Sequence, residues 1–168
     1  MMLRTFAAAA LALSLAACAS DQDSAQSGGS AQATDTNNRQ VATAPASQYA
    51  PGSQEELNAT IGDRVFFGFD QYDLKPEARA TINSWANWMQ KNQNVEITVE
   101  GHCDERGTRE YNLALGARRA NAVRDYLVAL GVGASRISTV SYGKERPAVL
   151  GSSEQAWSQN RRGVVDVK

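Results

Sequence analysis

The chain has 168 residues, with 17 basic and 18 acidic side chains and a formal net charge of −1. That length allows one domain of ordinary size and little more. Because positive charge is not in excess, the composition gives no support to binding of nucleic acid or of an anionic membrane surface.

The first 17 residues have the pattern of a secretory signal peptide. Arg4 provides one positive charge, and residues 6–17 are apolar and rich in Ala and Leu, interrupted only by Ser14. A run of about 12 apolar residues is too short for a stable membrane-spanning helix, which needs about 20. A short apolar run of this kind, with small residues at its end, predicts export and cleavage.

A lipid attachment site follows at Cys18. The residues Leu15-Ala16-Ala17-Cys18 resemble the bacterial lipobox, a branched apolar residue and two small residues before a cysteine. The resemblance implies that the Cys18 thiol takes a diacylglycerol, that the signal peptide is cut before it and that the new amine is acylated. Acyl chains contribute about 0.8 kcal/mol per buried methylene, so several chains give a permanent anchor. Ala19 favours the outer membrane, because aspartate at that position commonly causes retention in the inner membrane.

Residues 18–53 are predicted to be the lipidated N-terminus and a disordered tether. They are rich in Ser, Ala, Gln, Asp, Thr and Gly, with no aromatic residue before Tyr49. Such a segment cannot bury enough apolar surface to offset its ordering entropy. We therefore expect one folded domain at residues 54–168.

The first half of this domain is predicted to be a strand, a helix and a second strand. Alternation at Val65, Phe67 and Phe69 indicates the first strand. Pro76 opens the helix, as proline does at a first helical position. The helix is expected to bury an apolar stripe at helical spacing, Ala78, Ile82, Trp85 and Met89. The second strand is indicated by the alternating apolar residues Val95, Ile97 and Val99.

The second half is predicted to hold one long helix and two more strands. The helix covers residues 109–130 and ends at Gly131, since glycine commonly follows a helix C-terminus. Its core stripe is predicted to be Leu113, Ala117, Ala120, Val123 and Leu127. Strands are expected at residues 137–142 and 164–167, separated by a turn or short helix at 153–160. This order predicts an α+β fold, with helices packed on a mixed four-stranded sheet.

The densest polar segment, residues 101–108, lies between the second strand and the second helix, and loops at strand ends are common binding sites. Asn112 and Arg119 share a face of the following helix and are expected at the edge of its apolar stripe. Such a site suits a zwitterion, with Asp104 taking an ammonium and Arg119 binding a carboxylate through two hydrogen bonds. From the residues alone, an internal Asp104–Arg119 salt bridge explains the same pattern equally well.

Several stretches of the folded domain carry a recognisable pattern. They are residues 99–113 and 115–123, with flanking pieces at 67–70, 141–148 and 160–162. Together they resemble the OmpA-like peptidoglycan-binding domain family, and the resemblance covers essentially the whole folded domain. Asp-Glu-Arg-Gly-Thr at 104–108 and Tyr-Gly-Lys-Glu at 142–145 are similar to the lipoprotein branch of that family, which works in the Tol–Pal system.

The resemblance implies a two-layer domain that is not an enzyme, needs no cofactor and binds peptidoglycan noncovalently. The implied ligand is the diaminopimelate of uncrosslinked stem peptides, whose side-chain end carries one ammonium and one carboxylate. The family's paired Asp and Arg fall on Asp104 and Arg119, and its helix Asn falls on Asn112. The family's Asp after the first strand falls on Asp70, and Arg106 lies where the loop lines the pocket.

The same resemblance implies partners and a location. TolB is an expected partner besides peptidoglycan, and TolA and OmpA are further candidates; no nucleic-acid partner is expected. The acyl chains on Cys18 would lie in the outer membrane with the domain facing the periplasm. The implied role is to link that membrane to the wall and to support envelope integrity and constriction at cell division. Cys103 departs from the usual Ala or Thr of the family, and Gly68 from a commoner Asp.

Two other functions are compatible with parts of this sequence. His102 beside Cys103 and Asp104 suggests a hydrolase or a metal site, but one His with one Cys is a poor zinc set, and neighbouring residues at a strand end face apart. No metal is therefore expected, and Cys103 is interpreted as a small buried side chain. A wall-binding lipoprotein outside the Tol–Pal system is the second alternative, which failure to bind TolB would favour. Residues 160–162 are expected to organise the last strand, and Trp157 to cap the sheet edge.

Overall fold

The computed structural model describes residues 48–168. The predicted signal peptide, the lipid-accepting Cys18 and the tether up to residue 47 lie outside the described residues. The elements that follow, in chain order, are α1 (Gln54–Thr60), β1 (Arg64–Phe66), α2 (Pro76–Lys91), β2 (Ile97–His102), α3 (Arg109–Ala129), β3 (Ile137–Gly143), α4 (Glu154–Asn160) and β4 (Arg162–Val167). Within this described part, no helix is long and apolar enough to cross a membrane.

The four strands form one mixed sheet in the order β1-β4-β2-β3. β4 pairs antiparallel with both β1 and β2, whereas β2 and β3 run parallel. The register places Phe66 opposite Arg162 and Val99 opposite Val165. The predicted α+β fold with a mixed four-stranded sheet is confirmed.

The core lies between this sheet and the two long helices, α2 and α3. The stripe predicted for α2 is buried in full, and the indole Nε1 of Trp85 donates a hydrogen bond of 2.7 Å to the Gly62 carbonyl. The sheet contributes five buried side chains to the same cluster, Val65, Ile97, Val99, Ile137 and Val165. Each fully buried large apolar side chain contributes about 1.5–3 kcal/mol to stability, so this layer holds the scaffold on which the loops sit.

The core stripe predicted for α3 is right only in its second half. Ala120, Val123 and Leu127 are fully buried, but Leu113 and Ala117 are only half-buried. The buried face of the first half carries instead Asn112, Leu115, Gly116 and Arg119. The prediction that Asn112 and Arg119 lie at the edge of the stripe is therefore wrong, because they are 2% and 1% exposed.

A close backbone contact explains this change of face. A Cβ atom on Gly101 of β2 would lie 1.8 Å from the carbonyl oxygen of Gly116, and one on Gly116 would lie 2.3 Å from Ser141 Oγ. The first turns of α3 therefore approach the sheet through main chain rather than through apolar side chains. The spacing of apolar residues along the sequence gives no indication of such a contact.

Further boundaries differ from the sequence predictions, and β2 begins at Ile97 rather than at Val95. β1 ends at Phe66, so Phe69 lies beyond the strand and is 60% exposed, although Phe67 stays buried and its N–H donates to the Arg161 carbonyl. α1 was not predicted, since only Leu57 of its seven residues is buried. Its start is fixed by Ser53, whose hydroxyl accepts a hydrogen bond from the Glu56 N–H as an N-cap.

Candidate functional site

A cavity of about 190 Å³ lies where the loop after β1, the loop between β2 and α3, and the first half of α3 meet. All the residues predicted to bind ligand line it: Asp70, Asp104, Arg106, Asn112 and Arg119. The lining also includes residues that were not predicted, Phe69, Cys103, Gly107, Tyr111 and Leu115. The structure thus brings together side chains that are up to 50 positions apart, from Phe69 to Arg119.

The loop between β2 and α3 is held by its own polar groups. Gly107 has a φ of 88°, a left-handed conformation that glycine adopts readily. The hydroxyl of Thr108 caps α3 by accepting from the Tyr111 N–H. The amide nitrogen of Asn112 donates to the carbonyls of Arg106 and Thr108, at 2.8 and 3.0 Å. Since both N–H groups of Asn112 are used in this way, the observed role of its amide nitrogen is to hold the loop.

Asp104 is buried and forms ion pairs with two arginines. The Arg106 guanidinium donates through Nη2 at 2.6 Å and Nε at 3.2 Å, and Arg161 donates through Nη1 at 3.3 Å. Burial raises the pKa of the Asp104 carboxyl, but the hydrogen bonds from Arg106 and Arg161 outweigh burial and hold the pKa below its ordinary value. The alternative of an internal Asp104–Arg119 salt bridge is wrong, because the carboxylate pairs with the other two arginines.

Arg119 makes a different set of contacts. Its guanidinium donates to three main-chain carbonyls, those of Gln71 at 2.8 Å, His102 at 2.7 Å and Gly68 at 3.0 Å. Throughout residues 48–168, no carboxylate lies within ion-pair distance of it. Burial lowers the pKa of Arg119, although a guanidinium stays protonated in proteins. A buried positive charge with no carboxylate in direct contact therefore borders the cavity, although the nearby Asp104 and Asp70 favour its charged form. Three of its five N–H donors are engaged.

Arg161 was missed as a site residue. Besides Asp104, its guanidinium contacts Glu154 at 2.5 Å and the Phe67 carbonyl at 3.2 Å. Sequence reasoning assigned it only to the last strand, because it lies 57 positions from Asp104. The sequence carries no local signal of this pairing, which arises only when α4 packs beside the loop.

An aromatic stack covers one side of the site. The Arg106 guanidinium lies between the rings of Phe69 and Trp157, 4.1 Å from each ring centroid. The Trp157 indole also donates a hydrogen bond of 3.0 Å to Glu105. The prediction that Trp157 caps the sheet edge is therefore wrong, because its ring packs against the loop between β2 and α3 instead.

Asp70 lies on the opposite rim of the cavity. It is the one non-glycine residue of the described chain with a positive φ, at 56°, and such strained positions often occur at functional sites. Its carboxylate accepts a hydrogen bond from the Tyr111 hydroxyl. The Tyr111 ring is 47% exposed, so this pair forms part of the cavity mouth.

His102 and Cys103, the residues that suggested an enzyme, are buried and uncharged at neutral pH. Burial lowers the pKa of His102 to about 4 and raises the pKa of the Cys103 thiol to about 11. The thiol is 3% exposed and donates to the Asn112 carbonyl, as expected of a small buried side chain. Among residues 48–168, no cluster of His, Cys, Asp and Glu is arranged to hold a metal ion. The cavity is instead an electrostatic site, lined by two arginines, Arg106 and Arg119, and two aspartates, Asp70 and Asp104.

The chain is similar to several known proteins. The model of the OmpA family matches residues 66–161. The peptidoglycan-associated lipoprotein of Agrobacterium fabrum is 46% identical over 155 residues, which cover 92% of this chain and 82% of that protein. A crystal structure of the peptidoglycan-associated lipoprotein from Burkholderia pseudomallei matches with a TM-score of 0.62 and 42% identity, covering 63% of this chain and 90% of that one. The C-terminal domain of Helicobacter pylori MotB matches with a TM-score of 0.59 and 25% identity, covering 63% of this chain and 84% of that one.

Proposed function

Since the chain belongs to the OmpA family and, within it, to the peptidoglycan-associated lipoproteins, we propose that it binds peptidoglycan noncovalently through the cavity around Asp104 and Arg119. The matched relatives are named as lipoproteins, in agreement with the prediction that the chain is not an enzyme. Binding rather than catalysis also fits a cavity whose lining thiol, that of Cys103, is buried and uncharged at neutral pH.

The observation that carries this proposal is the buried Arg119 guanidinium without a carboxylate partner. A buried charge is costly unless it is paired, so an anionic group that enters the cavity gains a strong hydrogen-bond donor. The side-chain end of diaminopimelate supplies that carboxylate and an ammonium on the same carbon. Arg119 would bind the carboxylate, and Asp104, held ionised by Arg106 and Arg161, would accept from the ammonium.

The expected affinity is modest. Two charge-assisted hydrogen bonds contribute about 1.5–3 kcal/mol each, and part of this is lost to desolvation and ordering of the ligand. Many copies of the protein acting on one sacculus add avidity. In this arrangement Asn112 positions the loop, while Asp70 and Arg106 complete the polar lining.

We propose further that acyl chains on Cys18 hold the protein in the outer membrane, with residues 54–168 as the peptidoglycan-binding domain in the periplasm. The lipobox pattern and the names of the relatives support this anchor. As a working role we propose the Tol–Pal system, with TolB as a partner and TolA and OmpA as further candidates. The protein would then support envelope integrity and outer-membrane constriction at cell division.

Co-sedimentation with purified sacculi tests wall binding. The full chain, purified in detergent, is compared with Asp104→Asn, which keeps the shape of the side chain and removes its charge. Arg118→Gln is the matched control, because Arg118 is exposed and neighbours Arg119 without lining the cavity. We expect the parent and Arg118→Gln to pellet with the wall, and Asp104→Asn to bind at least about tenfold more weakly, as loss of one charged contact implies.

Two results would contradict the proposal. A parent protein that stays in the supernatant excludes peptidoglycan as the ligand. Equal pelleting of the parent and Asp104→Asn would place wall binding outside this cavity. TolB is tested separately by pull-down with the full chain, and failure to bind would favour a wall-binding lipoprotein outside the Tol–Pal system.

A further inference from the structure

The Tyr-Gly-Lys-Glu segment at residues 142–145 lies where β3 ends, beside the loop between β2 and α3. The carbonyl of Gly143 accepts a hydrogen bond of 2.7 Å from the Cys103 N–H, at the start of that loop. A Cβ atom on Gly143 would lie 3.0 Å from the main chain of Asn112, so the segment also packs closely on the first turn of α3. The segment is therefore fixed against both ends of the loop, although the proposed binding of the stem peptide gives it no role.

Lys144 extends from this segment to the loop. Its ammonium donates to the carbonyl of Gly107 at 2.7 Å and to that of Glu105 at 3.2 Å. Hydrogen bonds from a charged donor are stronger than those between neutral groups. Lys144 is not among the residues that line the cavity around Asp104, so it contacts the loop rather than the place where a ligand would lie.

The contacts of Lys144 complement those of Asn112. Of the four consecutive carbonyls at residues 105–108, the second and fourth accept from the Asn112 amide nitrogen, and the first and third accept from Lys144. Two side chains from separate elements, α3 and the end of β3, thus alternate along the same stretch of main chain. Each carbonyl of the stretch has a donor only when both side chains are present.

This stretch of main chain also orients the carboxylate of the cavity. The N–H of Arg106 donates to Oδ1 of Asp104 at 3.1 Å, and Arg106 lies between the two residues whose carbonyls Lys144 holds. We propose that Lys144 is a positioning residue for peptidoglycan, acting through the loop, an inference that rests on the proposed binding of the stem peptide. Without its ammonium, the carbonyls of Glu105 and Gly107 turn to water, and the loop holds Asp104 in the binding geometry for a smaller fraction of the time.

Calorimetry with the full chain in detergent tests this role, with the free tripeptide L-Ala-D-Glu-diaminopimelate as the ligand. Lys144→Met keeps the length of the side chain but removes its charge and its donors, and it should bind the tripeptide about fivefold more weakly, the equivalent of one net hydrogen bond. Lys144→Arg keeps the charge and the donors, so its affinity should stay within about twofold of that of the parent protein.

Hydrogen exchange without ligand, followed by mass spectrometry, provides a second readout. In Lys144→Met, the amides of residues 103–108 should exchange about fivefold faster than in the parent protein, because the loop opens more often. Exchange in the buried half of α2 should not change, and the melting temperature should fall by less than about 2 °C. Faster exchange throughout the domain would instead show a general loss of stability and would overturn the positioning role.

Lys91→Met is the matched control, since Lys91 is exposed at the end of α2 and lies outside the cavity. It removes the same charge and should bind like the parent protein, and an equal loss in both variants would overturn the proposal in favour of a general charge effect. Parent-like affinity of Lys144→Met, or a Lys144→Arg variant as weak as Lys144→Met, would also overturn it. These outcomes leave peptidoglycan binding intact, whereas a parent protein that does not bind the tripeptide would refute the proposed function, and the positioning role with it.

Discussion

Replacing Arg119 with glutamine should destabilise the fold as well as remove the proposed ligand contact. The guanidinium joins three separate segments through the carbonyls of Gly68, Gln71 and His102. Glutamine keeps two N–H donors but is too short to reach all three carbonyls. At least one of these carbonyls therefore loses its donor, and the others keep at best a neutral hydrogen bond in place of a charged one.

The loss of stability expected for Arg119→Gln follows from these three hydrogen bonds. A hydrogen bond involving a charged group contributes about 1.5–3 kcal/mol, and water that enters the neighbouring cavity recovers part of the loss. We therefore expect the free energy of unfolding to fall by about 3–5 kcal/mol, which is a large share of the 5–15 kcal/mol typical of a domain. For a domain of this size, the melting temperature should fall by about 10–20 °C.

Thermal unfolding of the full chain, followed by far-ultraviolet circular dichroism, measures this effect. Arg118→Gln is the control, because its only ring contact lies at 5.9 Å, and it should change the melting temperature by less than about 2 °C, as exposed substitutions usually do. If Arg119→Gln unfolds at the same temperature as this control, the guanidinium does not brace the three segments, and its burial has to be explained by ligand binding alone.

Other substitutions test further parts of the structure. Gly101→Ala should destabilise the fold by at least about 2 kcal/mol, because the new methyl meets the backbone of α3 at 1.8 Å; Gly133→Ala, with no atom closer than 3.8 Å, should melt like the parent. Burial lowers the pKa of His102 from 6.5 to about 4, so the unfolded state binds more protons between these values, and stability should fall by about 3 kcal/mol as pH drops through that window. Urea unfolding of His102→Gln should show a flatter pH profile there, and an unchanged profile would contradict this origin. Trp157→Leu should weaken sacculus binding several-fold by releasing Arg106 from its stack, whereas Trp157→Phe should keep most of it; equal binding by both would exclude a role for the ring.

Elements with regular apolar spacing could be predicted from the sequence. The stripe of α2 and the alternation of β2 are set by burial against one core, so their period appears directly in the residues. The first half of α3 does not follow this rule, since a glycine-to-glycine contact and two buried polar side chains, Asn112 and Arg119, replace its apolar stripe. α1 could not be predicted for a related reason. Only one of its residues, Leu57, is buried, so the helix has no repeating apolar pattern.

The candidate site likewise has a part that the sequence predicts and a part that it does not. The loop at residues 101–108 and the first half of α3 are close in sequence, and the family pattern covers both. Arg161 and Trp157 join the site only through tertiary packing of α4, so no local pattern indicates them. Their contacts also change the interpretation of Asp104, whose carboxylate meets two arginines before any ligand arrives.

The strand order has a consequence for the time at which the binding site forms. β4 is the last strand in the chain, yet it lies between β1 and β2 and pairs with both. Until β4 is present, β1 has no partner strand, and Arg161, just before β4, cannot reach Asp104. A chain without β4 therefore has neither the complete sheet nor the Asp104–Arg161 pair, because the domain closes only when its last strand inserts. If the chain binds peptidoglycan as proposed, only protein in which β4 has inserted can do so with a complete site.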